Sequence, residues 1–195
     1  VDIAGRVAGA SKGEGLGNPF LAHIRETDAI VGVVRCFEDA NVIHVAGRVD
    51  PIADIEVIQT ELCLADLGTV EKAVQRYGKA SKSGNDKEAA AMLKVLGPVQ
   101  AALNEAKPVR TLTLTKDEQA LLKPLCLITA KPAMFVGNVA EDGFDNNPYL
   151  DRLRDYGAAQ KAPVVAICAK TEAELAEMGD EDRLLFLHEM GQDEP

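Results

Sequence analysis

Residues 28–37, DAIVGVVRCF, decide the fold class. Their apolar side chains do not alternate with polar ones, which is typical of a strand buried on both faces of a parallel sheet. Similar runs follow at residues 132–138 (PAMFVGN) and 162–169 (APVVAICA), and segments with helical spacing lie between them. This alternation predicts an α/β fold with a mostly parallel sheet, whose ligand site lies at the carboxyl ends of the strands.

Two long helical segments separate the first of these strands from the second. Asp50 and Pro51 mark a helix start, because aspartate caps free N–H groups and proline fits the first turn. Apolar residues then recur at intervals of three and four until about Gly78, and again after the polar segment KASKSGND (79–86). The pattern predicts an antiparallel helical hairpin inserted into the α/β fold, with a turn at residues 79–86.

Two kinds of motif mark further helix starts. One is asparagine followed by proline, and the other is the capping box, a threonine three residues before a glutamate. The asparagine-proline pairs are residues 18–19 and 147–148, and the capping boxes are residues 115–118 and 171–174.

The composition is that of a globular protein. Of the 195 residues, 47% are hydrophobic and 27% are charged, which suits one domain or one domain with an insertion. The longest apolar runs are far shorter than the roughly 20 residues that a membrane span needs, and no signal peptide opens the sequence. We therefore expect a cytoplasmic protein with no membrane partner.

The four cysteines do not suggest a metal site or a disulfide framework. They lie far apart in apolar segments, without Cys-x-x-Cys spacing. We expect all four to be buried, reduced thiols. They are Cys36, Cys63, Cys126 and Cys168.

The formal net charge of -10 is unevenly distributed. From residue 171 onward there are nine acidic residues and one arginine, whereas residues 71–110 carry eight basic and four acidic residues. A basic helical arm can bind RNA phosphates, but it can equally be the solvated face of a long helix. Tyr77 is the one aromatic residue among these bases in the sequence, so base stacking is not indicated.

Polar residues at strand ends are the candidates for chemistry. Asp2 and Gly5 form Asp-x-x-Gly after an apolar stub, a pattern in which the aspartate holds Mg²⁺ and the glycine approaches a terminal phosphate. A simple strand-ending turn is the alternative. The glycine run GEGLGN (13–18) lacks the spacing and the strand-to-helix setting of a dinucleotide-binding fingerprint, which we exclude.

A second strand end carries Asn138, Val139, Ala140 and Glu141. An asparagine amide can hydrogen-bond a purine, and GTP-binding proteins have Asn-Lys-x-Asp in the corresponding element. An ordinary turn would also explain this segment. The third strand end, with Cys168 and Ala169, is where a small residue and backbone amides usually meet the base.

Three stretches of the sequence resemble a known protein family. Residues 2–62, 138–155 and 180–191 resemble the YchF or Obg-like ATPases, P-loop proteins of the translation-factor class of GTPases. The resemblance implies a nucleotide-binding G domain at residues 1–50 and 125–195, and a helical coiled-coil arm at 51–124. It also implies hydrolysis of ATP, or of GTP, with Mg²⁺, and a ribosomal or ribosomal RNA partner, with no role in binding DNA.

The resemblance also assigns site residues. By position, Asp2 and Gly5 match the element that binds the metal and the γ-phosphate. Asn138, Val139 and Glu141 match the base-recognition element. Cys168 and Ala169 match the strand end that supports it, and Phe37 lies beside the base. His44 is the candidate for positioning the attacking water, with packing on its loop or exposure to solvent as the alternative. Arg6 stands where the family usually has a hydrophobic residue, either as a solvated side chain or as a phosphate contact.

The family's phosphate loop, Gly-x-x-x-x-Gly-Lys-[Ser/Thr], and its TGS domain do not occur in the sequence. We therefore expect a middle fragment that binds ATP negligibly by itself. Two functions compete for the intact protein. One is a nucleotide-hydrolysing switch, and the other is an RNA- or protein-binding helical arm whose nucleotide site is only regulatory.

Overall fold

A computed structural model describes residues 17–39, 48–84 and 87–189 of the chain. Two compact units are present. Among the described residues, unit 1 consists of 17–30 and Ala53–Ala133, and unit 2 consists of 31–39, 48–52 and 134–189. The functional boundaries at residues 50 and 125 stay a prediction.

Unit 1 is built mainly from helices. They are α1 (Gly17–Glu26), α2 (Pro51–Gly84, which starts at the end of unit 2), α3 (Lys87–Asn104) and α4 (Lys116–Leu122), with short 3-10 turns at Val109–Thr111, Lys123–Leu125 and Ile128–Ala130. Helix α1 begins within two residues of the predicted start, a difference that helix ends commonly show.

Helix α2 begins at Pro51, as predicted, but it is longer than predicted. It continues to Gly84, so the prediction of an end near Gly78 and of a turn over residues 79–84 was wrong. The segment contains lysine and alanine, which favour helix, and no proline. The serines and glycine in it were not sufficient to end a helix whose earlier turns already pack in the core.

Helices α2 and α3 run in opposite directions and share a core. Gln59, near the start of α2, donates through Nε2 to the carbonyl oxygen of Ala106, just after α3, at 3.4 Å. Pro98 lies inside α3, which is continuous. The core between them is formed by buried residues of both helices and of the segment that follows them, including α4: Cys63, Val70, Ala73, Met92, Val95, Leu96, Val99, Leu103, Val109, Leu122 and Leu127.

A buried carboxylate, that of Asp66 on α2, joins the parts of unit 1. Its side chain is completely buried. Oδ1 accepts from the Ile128 amide at 2.9 Å and lies 3.3 Å from Nη1 of Arg25, while Oδ2 accepts from the amide and hydroxyl of Thr129 at 2.7 and 2.8 Å. A buried charge with this many donors is fully satisfied, so it can be retained in the core.

The end of α1 is completed by a distant lysine. Nζ of Lys131 donates to the carbonyl oxygens of Ile24 at 2.9 Å and Arg25 at 2.7 Å, and also to that of Thr27. The last carbonyl groups of a helix have no partner within it. Lys131 supplies donors and a positive charge there, where the helix dipole favours a cation.

Helix α4 has the predicted capping box. The Thr115 hydroxyl accepts from the Glu118 amide at 3.2 Å, and the Glu118 carboxylate accepts from the Thr115 amide at 2.8 Å. Two free N–H groups are thus satisfied reciprocally.

Unit 2 contains a three-stranded parallel sheet with order β1-β2-β3. Its elements are β1 (Ile30–Arg35, whose first residue belongs to unit 1), β2 (Ala133–Asn138, likewise), α5 (Pro148–Ala159), β3 (Val164–Ile167), α6 (Ala169–Glu177) and α7 (Asp180–Glu189). Strands β2 and β3 pair from Phe135 with Val164 to Asn138 with Ile167. The α/β prediction is thereby confirmed.

Helix α5 packs closely on one face of the sheet. A Cβ placed on Gly137 of β2 would lie 2.9 Å from Leu150 and 3.1 Å from Leu153. A Cβ on Gly157 would lie 2.4 Å from Val164 and 2.7 Å from the carbonyl oxygen of Ala162. Glycine is needed at both positions because the helix and the sheet approach each other too closely for a side chain.

The prediction that β1 is buried on both faces was wrong. Val31 and Val33 are 54% and 60% exposed, whereas Val34 and Cys36 are buried. Since successive side chains of a strand point to opposite faces, β1 is buried through one face only among the described residues. Continuous apolar sequence therefore did not report double burial here.

All four cysteines are free thiols, and three of them are buried as expected. Cys126 is exposed, which corrects the prediction for that residue. It follows the 3-10 turn Lys123–Leu125 with a positive φ of 47°, so the turn carries the side chain to the surface. Within residues 17–39, 48–84 and 87–189, no three or more His, Cys, Asp or Glu side chains are grouped to hold a metal ion.

None of the described helices combines the length and the apolar character that crossing a membrane requires.

Candidate base-recognition site

The ends of β2 and β3 lie side by side. Asn138 pairs with Ile167 in the sheet register, and the next residue, Val139, donates its amide to the Ile167 carbonyl at 2.8 Å. Because parallel strands end at the same edge, the loop after β2 and the start of α6 emerge together. The structure therefore brings the second and third predicted strand ends into one place.

Asn138 is bonded directly to the start of α6. Its Oδ1 accepts from the backbone amide of Ala169 at 3.0 Å. Cys168, the residue before the helix, makes no side-chain cap bond. Asn138 thus satisfies a free N–H of the first turn of α6, and its amide nitrogen remains a donor.

Cys168 and Thr171 form a buried contact beneath this start. The Thr171 hydroxyl lies 3.2 Å from the Cys168 sulfur. The predicted capping box at Thr171 and Glu174 was wrong, because α6 begins at Ala169 and Thr171 lies inside it. The threonine hydroxyl is turned into the protein instead of capping the helix.

Glu141 lies beside a lysine. Its Oε1 is 2.7 Å from Nζ of Lys170, and the two side chains are 59% and 70% exposed. The hydrogen bond to Glu141 and then its charge, followed by that of Glu174 at 4.0 Å, raise the pKa of Lys170. Lys170 therefore keeps its positive charge beside Glu141 to a higher pH than an isolated lysine would.

Val139 has a structural side chain. It is buried, and its Cβ would be 3.3 Å from a Cβ placed on Gly143, whose amide donates to Ala140 across a turn at 2.9 Å. Any contact of Val139 with a ligand would have to come from its main chain. Its assignment to nucleotide binding stays a prediction.

Asn147 holds the loop that follows the site. Its Oδ1 accepts from the amides of Tyr149 and Leu150, which caps α5 as predicted. Its Nδ2 donates to the carbonyl oxygens of Cys36 at 2.9 Å and Gly143 at 2.8 Å. The sequence predicted the cap but not this link between the loop and the end of β1.

Phe37 follows β1 close to the same edge. The Cys36 amide donates to the Asn138 carbonyl at 2.7 Å, so the residue before Phe37 is tied to the end of β2. The guanidinium of Arg35 lies 4.6 Å from the centre of the Phe37 ring, and its Nε donates to the Phe37 carbonyl at 2.8 Å. One face of the ring is therefore covered by a cation.

The remaining predicted site residues, Asp2, Gly5 and His44, lie outside the described residues, as does Arg6. Their assignments to metal, phosphate and water stay predictions.

Relatives of known name match the whole chain. It is 53% identical over 195 residues to the protein of Haemophilus influenzae named ribosome-binding ATPase YchF, and 54% identical to that of Escherichia coli O157:H7. The protein of the same name in Bacillus subtilis is 48% identical over 193 residues. This chain belongs to the YchF family. It spans about half the length of these relatives, covering 53% of the H. influenzae protein.

The fold agrees with a solved YchF structure. The YchF GTPase of Schizosaccharomyces pombe superposes with a TM-score of 0.78 at 31% identity, over 92% of this chain and 50% of that one. No family model matches the chain. The resemblance to YchF inferred from sequence is confirmed.

One residue of this YchF site was missed by the sequence interpretation, namely Lys170. It follows directly on Ala169 at the end of β3, and it reaches Glu141, 29 residues earlier. The only available signal was its place immediately after the small strand-end residue. Its partner depends on the tertiary fold and could not be inferred from spacing.

Proposed function

We propose that this chain supplies the base-recognition part of a cytoplasmic, ribosome-associated switch that hydrolyses ATP, or alternatively GTP, with Mg²⁺. The observation that carries the proposal is the junction of Asn138 and Ala169 at adjacent strand ends. The names of relatives that match all 195 residues support the ribosome and the ATPase activity.

The chemistry of the junction suits a purine. Asn138 offers its Nδ2 as a donor to a ring nitrogen, since its oxygen is already bonded to the Ala169 amide. Glu141 offers an acceptor on the same loop, and the backbone around Ala169 offers polar groups beside a small side chain. The site therefore has donors and acceptors at one edge of the sheet.

The rest of the proposal extends the same architecture. Residues 1–50 and 125–195 would form part of a P-loop NTPase G domain, and residues 51–124 its inserted helical arm. Asp2 would hold Mg²⁺, Gly5 would lie at the γ-phosphate, and His44 would orient water. Mg²⁺ would supply charge stabilisation to the phosphates.

Calorimetry with ATP on the full-length protein that contains this segment tests base recognition. Asn138→Ala should weaken ATP binding by about 2- to 12-fold, the range for loss of one hydrogen bond. Asn104→Ala, at the exposed end of α3, is the matched control and should bind as the unsubstituted protein does. Unchanged affinity of a folded Asn138→Ala protein would reject the proposal.

The 195-residue chain provides a second test. Without the phosphate loop it should bind ATP negligibly, and micromolar affinity in the same calorimetric titration would contradict this expectation.

A second candidate function is favoured by the surface of the helical arm. Six basic side chains are exposed along α2 and α3, and a cationic surface of this kind binds RNA phosphates. They are Lys72, Arg76, Lys79, Lys82, Lys87 and Lys94. In this alternative the arm docks on ribosomal RNA or on a protein, and the nucleotide site only regulates docking.

Ribosome co-sedimentation at several salt concentrations separates the two functions. Salt-sensitive binding that persists in a protein unable to hydrolyse ATP would favour the docking arm. Binding that follows the bound nucleotide would favour the switch.

A further inference from the structure

The ion pair between Lys170 and Glu141 joins the two loops of the base-recognition site. Its atoms are 2.7 Å apart, and Lys170 also lies 4.0 Å from Glu174 on its own helix. Two backbone-anchored bonds hold the loops beneath it, from Ala169 to Asn138 and from Val139 to Ile167. The backbone segments that carry Glu141 and Lys170 are therefore held next to each other.

The pair changes what Glu141 can offer to a purine. A free carboxylate accepts two parallel hydrogen bonds, which suits guanine, whose ring N1 and exocyclic N2 both carry hydrogen. Adenine has an acceptor at N1 and a donor at N6. A carboxylate that already receives an ammonium group is a weaker acceptor for guanine.

The neighbouring amide acts in the same direction. The Ala169 N–H donates to Asn138, so a guanine O6 would have to compete for it. Adenine has no oxygen at that position, so it does not compete with Asn138 for the Ala169 amide. Both contacts thus remove features that a guanine would use.

We propose that Lys170 is a specificity-determining residue, which disfavours guanine by holding the carboxylate of Glu141. The inference rests on the proposed function, in which Asn138 and Glu141 face the base. It goes beyond that function by naming the residue that sets the preference and the partner through which it acts.

Competition binding of ATP and GTP to the full-length protein tests this role. Lys170→Met removes the charge and keeps the length of the side chain. Because exposed ion pairs are weak, the affinity ratio should shift toward GTP by about two- to fivefold. The shift should diminish at high salt, since the pair is screened. Lys161→Met, which removes an exposed lysine of unit 2 outside this site, should leave the ratio unchanged.

A double substitution shows whether Lys170 acts through Glu141. In a Glu141→Gln background there is no carboxylate to hold, so Lys170→Met should not change the ratio further. An unchanged ratio in the single variant, or an equal shift in both backgrounds, would overturn the inference and leave the proposed function standing. Failure of the unsubstituted full-length protein to bind either nucleotide would overturn the proposed function, and this inference with it.

Discussion

Asp66 in unit 1 and Glu141 in unit 2 are both paired carboxylates, but their surroundings are opposite. Asp66 is fully buried, with the Arg25 guanidinium, two backbone amides and a hydroxyl around it. Glu141 is 59% exposed beside Lys170. The buried carboxylate has no water to replace a lost partner, whereas the exposed one can exchange lysine for water or for a ligand.

The difference separates structural from functional charge. In unit 1, the charged side chains of Asp66 and Arg25 connect α2, the turn Ile128–Ala130 and α1. In unit 2, charge lies at strand ends and is accessible from solvent. Residue type alone does not show whether a carboxylate is structural or functional. The number of donors around it and its burial distinguish the two roles.

The largest expected effect is at the buried carboxylate. Asp66→Ala would leave the Ile128 and Thr129 donors without their acceptor and remove the carboxylate beside Arg25, and should lower the free energy of unfolding by about 3–5 kcal/mol. Urea unfolding measures this loss. Glu71→Ala, at an exposed acid of the same helix, should change stability by less than about 0.5 kcal/mol. Equal effects of the two substitutions would remove the distinction between buried and exposed charge.

A smaller effect is expected where unit 2 is most tightly packed. Gly157→Ala would place a Cβ 2.4 Å from Val164, and should destabilise the protein by about 1–3 kcal/mol. Gly78→Ala in α2 of unit 1 meets nothing within 4 Å, so it should stabilise by about 0.5–1 kcal/mol. Thermal unfolding of both variants gives the two signs. A Gly157→Ala protein as stable as the unsubstituted one would show that α5 can move away from the sheet.

Each unit also has a helix capped by a side chain, and the two caps differ in burial and in the number of their hydrogen bonds. Asn147→Ala removes two acceptor bonds to α5 and two donor bonds, and should cost about 2 kcal/mol, the upper end for a cap. Thr115→Ala removes an exposed capping box in unit 1 and should cost about 0.5–1 kcal/mol. Chemical denaturation of the single variants gives both values. The opposite order would mean that the Asn147 donors contribute little.

Buried thiols in both units should make stability depend on alkaline pH. Burial raises the pKa of Cys63 in unit 1 from 9.0 to about 12, with the charge of Asp66 adding to it, and burial raises the pKa of Cys36 in unit 2 to about 11. The unfolded chain releases these protons first, so stability should fall as pH rises above about 9 and continue to fall until the folded thiols titrate.

Urea unfolding at pH 8 and pH 10 measures the alkaline loss. Cys63→Ala should make it smaller, whereas Cys126→Ala, at the exposed thiol, should leave it unchanged. A loss of stability that is identical in all three proteins would exclude the buried thiol as its source.

Local rules predicted the elements that local chemistry determines. The start of α2 at Pro51, the capping box of α4 and the Asn147 cap of α5 depend on neighbouring residues, and all three were predicted. The meeting of Asn138 and Ala169 followed from the rule that parallel strands end at one edge.

The remaining features depend on contacts distant in sequence. The pairing of Glu141 with Lys170 spans 29 residues, and that of Asp66 with Thr129 spans 63, so neither is visible as spacing. Asp66 did give one signal, because it interrupts the apolar segment LCLADLG (62–68) of a helix. The exposure of Val31 was missed because continuous apolar sequence does not state how many faces of a strand are covered.

The lysine that completes α1 has a consequence for the order of assembly. Lys131 follows the carbonyl groups it serves by 104 to 107 residues. A chain made from its amino end exposes α1 long before Lys131 has been synthesised. The carbonyl groups of Arg25 and Thr27 therefore stay in water until Lys131 has left the ribosome, whereas that of Ile24 can already accept from the amide and hydroxyl of Thr27.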